Sequence, residues 1–401
     1  MAEADATPLP LTGVTIIAIE QYGAGPYGTM LLADLGARVI KIENPADGGD
    51  VGRAVGPFFF GEGDSHFFQS FNRNKESLTL NLKKPAARDV LLDLVRRADG
   101  VLDNLRGDQA EKLGLTYEAL CEANPAIVCA HLSAYGRTGS RRSWPGFDYL
   151  MQAEAGYLSV TGEPDGVPSR FGLSIVDMMT GLTCAFGLLA ALPAARATGK
   201  GRDVDVSLFD VALHNLSYLG TWYLNGGHIQ GREPRGSHPS LTPSQLYKTQ
   251  DGWLFIMCNK EKFWPILAEK LGHPEWAEDG QFATFEKRLA NRSQLGELLD
   301  AELSKRPTGE WLDLLAGVVP VAPVNDIGRA LDNPFVAEQE RVATFDHPDG
   351  PYRAQTGPFR LSDAELPTHS APALGAQTAQ ILGELGYSRS RVEALRDDGV
   401  I

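Results

Sequence analysis

The sequence is short of the features that mark several common protein classes. It has four cysteines in 401 residues, Cys121, Cys129, Cys184 and Cys258, with no CxxC or metal-ligand spacing among them. Reduced, buried thiols are expected rather than a disulfide framework or a zinc site. Basic residues are few: 37 Lys and Arg stand against 51 Asp and Glu, a net charge of −14. That balance argues against nonspecific nucleic-acid binding, and any anionic ligand has to be met by local cations. No apolar run approaches the ~20 residues that span a bilayer, so no membrane segment is expected. The first residues, MAEADATPLP, have neither a basic n-region nor an apolar h-region, which argues against secretion and for the cytoplasm.

What is present is an ordinary globular composition, 43% hydrophobic and 22% charged, in a chain too long for one compact core. Leu11–Ile19 reads as a buried strand. Gly23, Gly25 and Gly28 then spell GxGxxG, followed by a helix at about Tyr27–Leu35, a Gly36 stop, a strand at Arg38–Ile42 and an acid, Glu43. This is a βαβ unit with a dinucleotide fingerprint. Glu20-Gln21-Tyr22, however, lengthen the loop before the glycines, and no second glycine-rich loop or late Gly-Asp flavin signature follows. A phosphate or carbonyl oxygen at the helix start is expected, with a flavoprotein as the motif-level alternative. Further strands at Gly100–Asn104 and Ala126–Leu132 alternate with helical segments. They give an α/β class, a Rossmann-like, doubly wound, mainly parallel sheet. Ligands bind at the strand C-termini of such sheets, and Gln21, Asn104, Tyr135 and Asp177 fall there. After Leu224 a Gly/Pro/His/Arg-rich stretch leads into a smaller α+β unit. The expected division is 1–222 for the large domain, 223–325 for the small one and 326–401 for a C-terminal segment completing the large one.

One stretch organises the rest: Pro168–Leu192, PSRFGLSIVDMMTGLTCAFGLLAAL. A short apolar run, Leu173–Val176, ends in Asp177, and an Ala/Leu-rich helix is expected to run to a stop at Pro193. An acid at a strand-to-helix boundary is either an N-cap or a reactive group.

Taken together, the opening strand–AGP–helix–LGARVIKIE unit, FNRNKESLTLNL, Asp103-Asn104, YGRTG…PGFDYL, SIVDMMTG, KGRDVDVSLFDVAL, PVAPVND and the closing GELGYSRSRVEALRDDGVI resemble the family III CoA-transferases (CaiB/BaiF). That group includes formyl-CoA transferase and the carnitine CoA-transferase, and the match covers essentially the whole chain. The resemblance implies an interlocked homodimer with a Rossmann-like large domain and a small domain. It implies no permanently bound cofactor, with coenzyme A as co-substrate, and acyl-CoA and carboxylic acids as partners, without nucleic acid or membrane. It makes Asp177 the catalytic aspartate. It sets Gln21, Tyr22 and Ala24 on the loop at the thioester end of CoA, and Leu80, Lys83, Asn104, Leu105 and Lys112 on its nucleotide and pantetheine. Gly23 stands where formyl-CoA transferase has an active-site glutamine, and Asn44 stands where relatives often have arginine.

Exchange of a thiolate between two acids of similar energy needs no ATP, and a carboxylate nucleophile divides it into easier steps. Backbone amides around Gly23–Gly28 are candidate oxyanion donors. The related α-methylacyl-CoA racemases pair this aspartate with a histidine at the position of Phe147. Phenylalanine cannot move a proton, so transfer is preferred over racemisation, and an inactive CoA-binding protein is the third reading. Asp148 is either a substrate-orienting carboxylate or a helix cap. Arg137, Arg141 and Arg142 are candidates to hold a CoA phosphate or the distal carboxylate of a small dicarboxylate acceptor.

Overall fold

The computed structural model describes residues 7–401. Its central element is β1 (Thr15–Ile19), followed by α1 (Ala24–Asp34) and β2 (Arg38–Glu43). Then come β3 (Glu76–Thr79), α2 (Ala87–Val95), β4 (Gly100–Asp103) and β5 (Val128–Ser133). The series closes with α3 (Asp148–Glu154), α4 (Ile175–Thr198), β6 (Arg202–Ser207) and α5 (Leu208–His214). The six strands form one sheet in the order β3-β2-β1-β4-β5-β6, parallel throughout. Helices cover both faces of a parallel sheet, which is why Ile16, Ile17 and Ala18 are all fully buried instead of alternating. The strand order reverses between β1 and β4, where Ile19 pairs with Asp103. That junction is where such sheets hold their ligands.

Four sequence expectations about α4 need correction. Leu173–Ser174 forms no strand, and the helix starts at Ile175 with Ser174 at its N-cap. Asp177 is therefore a first-turn residue and not the cap. The helix also continues through Pro193 to Thr198, closed by Gly199 at φ +68. At 24 residues it is long and apolar enough to cross a membrane by length and composition, contrary to the expectation of no such run. Its Val176, Cys184, Leu188 and Leu192 are buried in the larger unit, where α4 packs on α1, β5 and β6.

The chain divides into two compact units. The first holds the described residues up to Ala155, with Gly172–Gly220 and Ala337–Ile401; the second holds Gly156–Phe171 and Thr221–Val336. Within the first, the C-terminal segment caps the β3 edge. Gln377 N donates to Ser77 O at 3.0 Å, and Asn81 N donates to Val400 O at 2.7 Å. The second is built on an antiparallel sheet of β7 (Ser244–Lys248), β8 (Trp253–Met257) and β9 (Val321–Pro323), with β8 central. Helices pack Trp264, Leu295, Leu299 and Trp311 into its core.

Candidate active site

The loops after β1 and β4 meet across the switch point through one side chain. Asn104 accepts from Gln21 N at 2.9 Å and donates to Gln21 O at 2.7 Å. An asparagine amide satisfies both backbone groups of one residue, so the two loops are fixed as a pair. Gly25 permits this approach, because a β-carbon there would lie 2.9 Å from Asn104 Cβ. Gly28 serves another contact: its β-carbon would sit 2.4 Å from the carbonyl oxygen of Gly181, and one on Gly181 would lie 2.1 Å from Ala24 O. Helices α1 and α4 thus cross backbone to backbone, which brings the first turn of α4 beside the start of α1. Gly23 is the last of the set; a β-carbon on it would be 3.2 Å from Asp177 Oδ2. The GxGxxG glycines are spent on close approach.

The result is a cavity of about 220 Å³ in the larger unit. Asp177, Gln21, Tyr22, Gly23, Ala24, Asn104 and Leu105, all chosen from sequence, line it together. Asp177 is half-buried. Burial pushes its carboxyl up to about 7, and the neighbouring Asp148 carboxylate adds to the rise. Among the described residues no donor bonds the Asp177 carboxylate; its backbone N–H donates to Asp148 Oδ2 at 2.9 Å. Asp148 is itself buried and also accepts from Gln152 Nε2. It therefore satisfies a first-turn amide of α4, the helix carrying Asp177, where a negative charge is favoured.

Other sequence candidates lie elsewhere. Tyr135 hydroxyl donates to Glu154 at 2.7 Å. Arg137 is taken up by Asp205 and by Asp203 at 3.1 Å, and Arg141 by Glu154. Leu80 is buried in the core beside β3. Lys83 is exposed near Asp47 at 3.9 Å, and Lys112 is exposed and paired with Asp108 at 2.5 Å. None of these six lines the cavity.

The cavity wall includes two aromatic residues not chosen from sequence as ligand contacts, Trp144 and Phe147, both at least half exposed. The Tyr22 and Phe147 rings stand edge to face at 6.2 Å. Across β4, β5 and β6 runs an ionic chain centred on a buried histidine: His131 Nδ1 is 2.6 Å from Asp103 and Nε2 is 3.0 Å from Asp203. Burial lowers the His131 pKa, but the two carboxylates outweigh it and carry the imidazole up to about 9.

Residues 11–378 match the family described as CoA-transferase family III. The chain is 36% identical to an acetyl-CoA:oxalate CoA-transferase from Acetobacter aceti, over 95% of this chain and 97% of that protein. It is 32% identical to a succinate–glutarate CoA-transferase from Agrobacterium fabrum, over 94% of this chain and 96% of that protein. A crystal structure of a CaiB/BaiF family protein from Brucella suis superimposes with a TM-score of 0.82 at 33% identity, covering 94% of this chain and all of that one. With that agreement along nearly its whole length, the chain belongs to CoA-transferase family III.

Proposed function

We propose that this protein moves coenzyme A from an acyl-CoA donor to a small dicarboxylate, with Asp177 as the nucleophile. The observation that carries the reading is a desolvated carboxylate, free of any bonded donor among the described residues, at the ligand edge of the sheet. Asp177 attacks the donor thioester carbonyl, forming a mixed anhydride and expelling CoA thiolate. The thiolate attacks the aspartyl carbonyl, releasing the donor acid and leaving an aspartyl–CoA thioester. The acceptor carboxylate attacks that carbonyl and expels CoA thiolate again, and a final attack on the acceptor's carbonyl yields the new acyl-CoA and frees Asp177. No proton is consumed, so no histidine base is needed. Loss of solvent raises the energy of the ionised nucleophile, at the cost of partial protonation near neutral pH.

The first amides of α1 have no partners within the helix, and Gly23 provides no side-chain cap, so these amides are the oxyanion donors of the reading. Leu80, Lys83 and Lys112, on segments following β3 and β4, serve the nucleotide end. Two relatives named for oxalate and glutarate support the dicarboxylate class. The arginine-rich loop supports it less, because Arg137 and Arg141 already hold protein carboxylates. An interlocked homodimer accompanies the proposal on family grounds.

Mass spectrometry of the intact protein after incubation with succinyl-CoA, with hydroxylamine trapping, tests this reading. An adduct that maps to Asp177 and is absent from Asp177→Ala is expected. Absence of an adduct in the wild type across a panel of acyl-CoA donors overturns it.

A further inference from the structure

The loop that brings Gln21, Tyr22 and Gly23 to Asp177 is gripped from behind by buried charges. Tyr22 has φ +69, in the left-handed region that residues with a β-carbon avoid. Its amide donates to Asp50 Oδ1 at 2.9 Å, and the same oxygen accepts from Gly52 N at 2.8 Å. Asp50 Oδ2 is 2.8 Å from Lys41 Nζ, and both side chains are fully buried. Lys41 in turn donates to the carbonyl of Glu20 at 3.0 Å. Gln21, between these two anchor points, is held at both backbone groups by Asn104. A second lysine, Lys75, braces the Glu20 carboxylate at 2.8 Å.

A buried Lys–Asp pair is a poor way to gain stability, since an apolar pair of the same volume often does as well. An apolar pair cannot supply a donor for Glu20 O and an acceptor for Tyr22 N. We infer that Asp50 and Lys41 are positioning residues for CoA transfer: they hold Tyr22 in its left-handed conformation and so fix Gly23 and the start of α1 against Asp177. The inference rests on the proposed function, because what it positions is the surroundings of the nucleophile.

The experiment compares wild type, Asp50→Ala and the double variant Lys41→Met/Asp50→Ala, in single-turnover adduct formation with succinyl-CoA and in steady-state transfer. The double variant removes both charges together, leaving no uncompensated buried ion, and its thermal stability is read alongside. For both variants the adduct-forming rate and kcat are expected to fall roughly tenfold to a hundredfold, the scale of a small misplacement of reacting groups. Donor KM is expected to stay within about threefold, as for an interaction that matters in the transition state. A double variant that melts like wild type yet remains slow supports positioning. One whose rate returns along with its stability shows that the pair is only structural and overturns the inference. A wild type that forms an Asp177 adduct beside variants of equal rate also overturns it, while leaving the proposed function standing.

Discussion

Replacing Asp177 by asparagine should stabilise the protein, and by an amount that depends on pH. Burial and the Asp148 charge lift the Asp177 carboxyl from 3.8 to about 7 in the folded chain. Between those values the native state holds a proton that the unfolded chain has released, so stability falls as pH rises through the window. Asparagine mimics the protonated form and avoids that loss. The shift of about 3 units corresponds to about 4 kcal/mol at 1.36 kcal/mol per unit. Because the carboxylate is only half-buried, solvent screening reduces this to about 2 kcal/mol. For a protein of 401 residues that is a rise in Tm of roughly 2–3 °C. Melting curves of wild type and Asp177→Asn from pH 4 to 8.5 check it. The two should coincide near pH 4, diverge through pH 5 to 7 and run parallel above that, with the variant higher. A constant offset, or a wild type that is the more stable at pH 8.5, would refute the assignment of a desolvated, elevated carboxyl to this position.

Three further outcomes follow from the same geometry. In steady-state transfer, kcat/KM should rise with pH through about 7, as Asp177 ionises. Asp148→Asn should move that limb to lower pH by less than half of the elevation, because burial is the larger cause and the charge of Asp148 the smaller; an unmoved limb would show that Asp148 does not act on Asp177 electrostatically. Gly28→Ala would drive a β-carbon to 2.4 Å from a backbone oxygen that cannot swing aside. A loss of about 3 kcal/mol in urea unfolding is expected, the upper end for overpacking. Gly280→Ala, where a β-carbon meets nothing within 4 Å, should cost little by comparison.

The parallel sheet was legible because each inner strand is a short, mainly apolar run set off by turn residues, and β1, β2, β4 and β5 fall within a few residues of their expected spans. The cavity group around Asp177 was legible for a related reason, since polar residues that follow buried strands collect at one edge of such a sheet. Pro193 misled because proline punctuates helices only on average; here α4 carries it without ending. Asp177 looked like a cap because local sequence cannot show that Ser174 takes that place. Arg137 and Arg141 looked available because their carboxylate partners, Asp205 and Glu154, lie 68 and 13 residues away in sequence. Lys41 was the overlooked signal, an ammonium in the middle of Val-Ile-Lys-Ile that has to find partners once the strand is buried.

The glycine fingerprint shows how a familiar pattern can be turned to other chemistry. In a dinucleotide fold the strand leads almost directly into the glycines, and the open helix start receives a pyrophosphate. Here Glu20, Gln21 and Tyr22 lengthen the loop, and Gly28 is used against Gly181 of a neighbouring helix instead of a nucleotide-bearing strand. That contact slides the first turn of α4 to the start of α1, and the anion beside Gly23 is the protein's own Asp177 carboxylate. The positive end of a helix favours that charge, while burial and Asp148 oppose it. The opposition leaves a carboxylate that ionises near neutral pH with no cationic side chain among the described residues bound to quench it. A salt-bridged aspartate would be ionised at every physiological pH but would have its lone pairs committed to its partner. The glycine-built approach of α1 and α4 supplies the nucleophile without that partner.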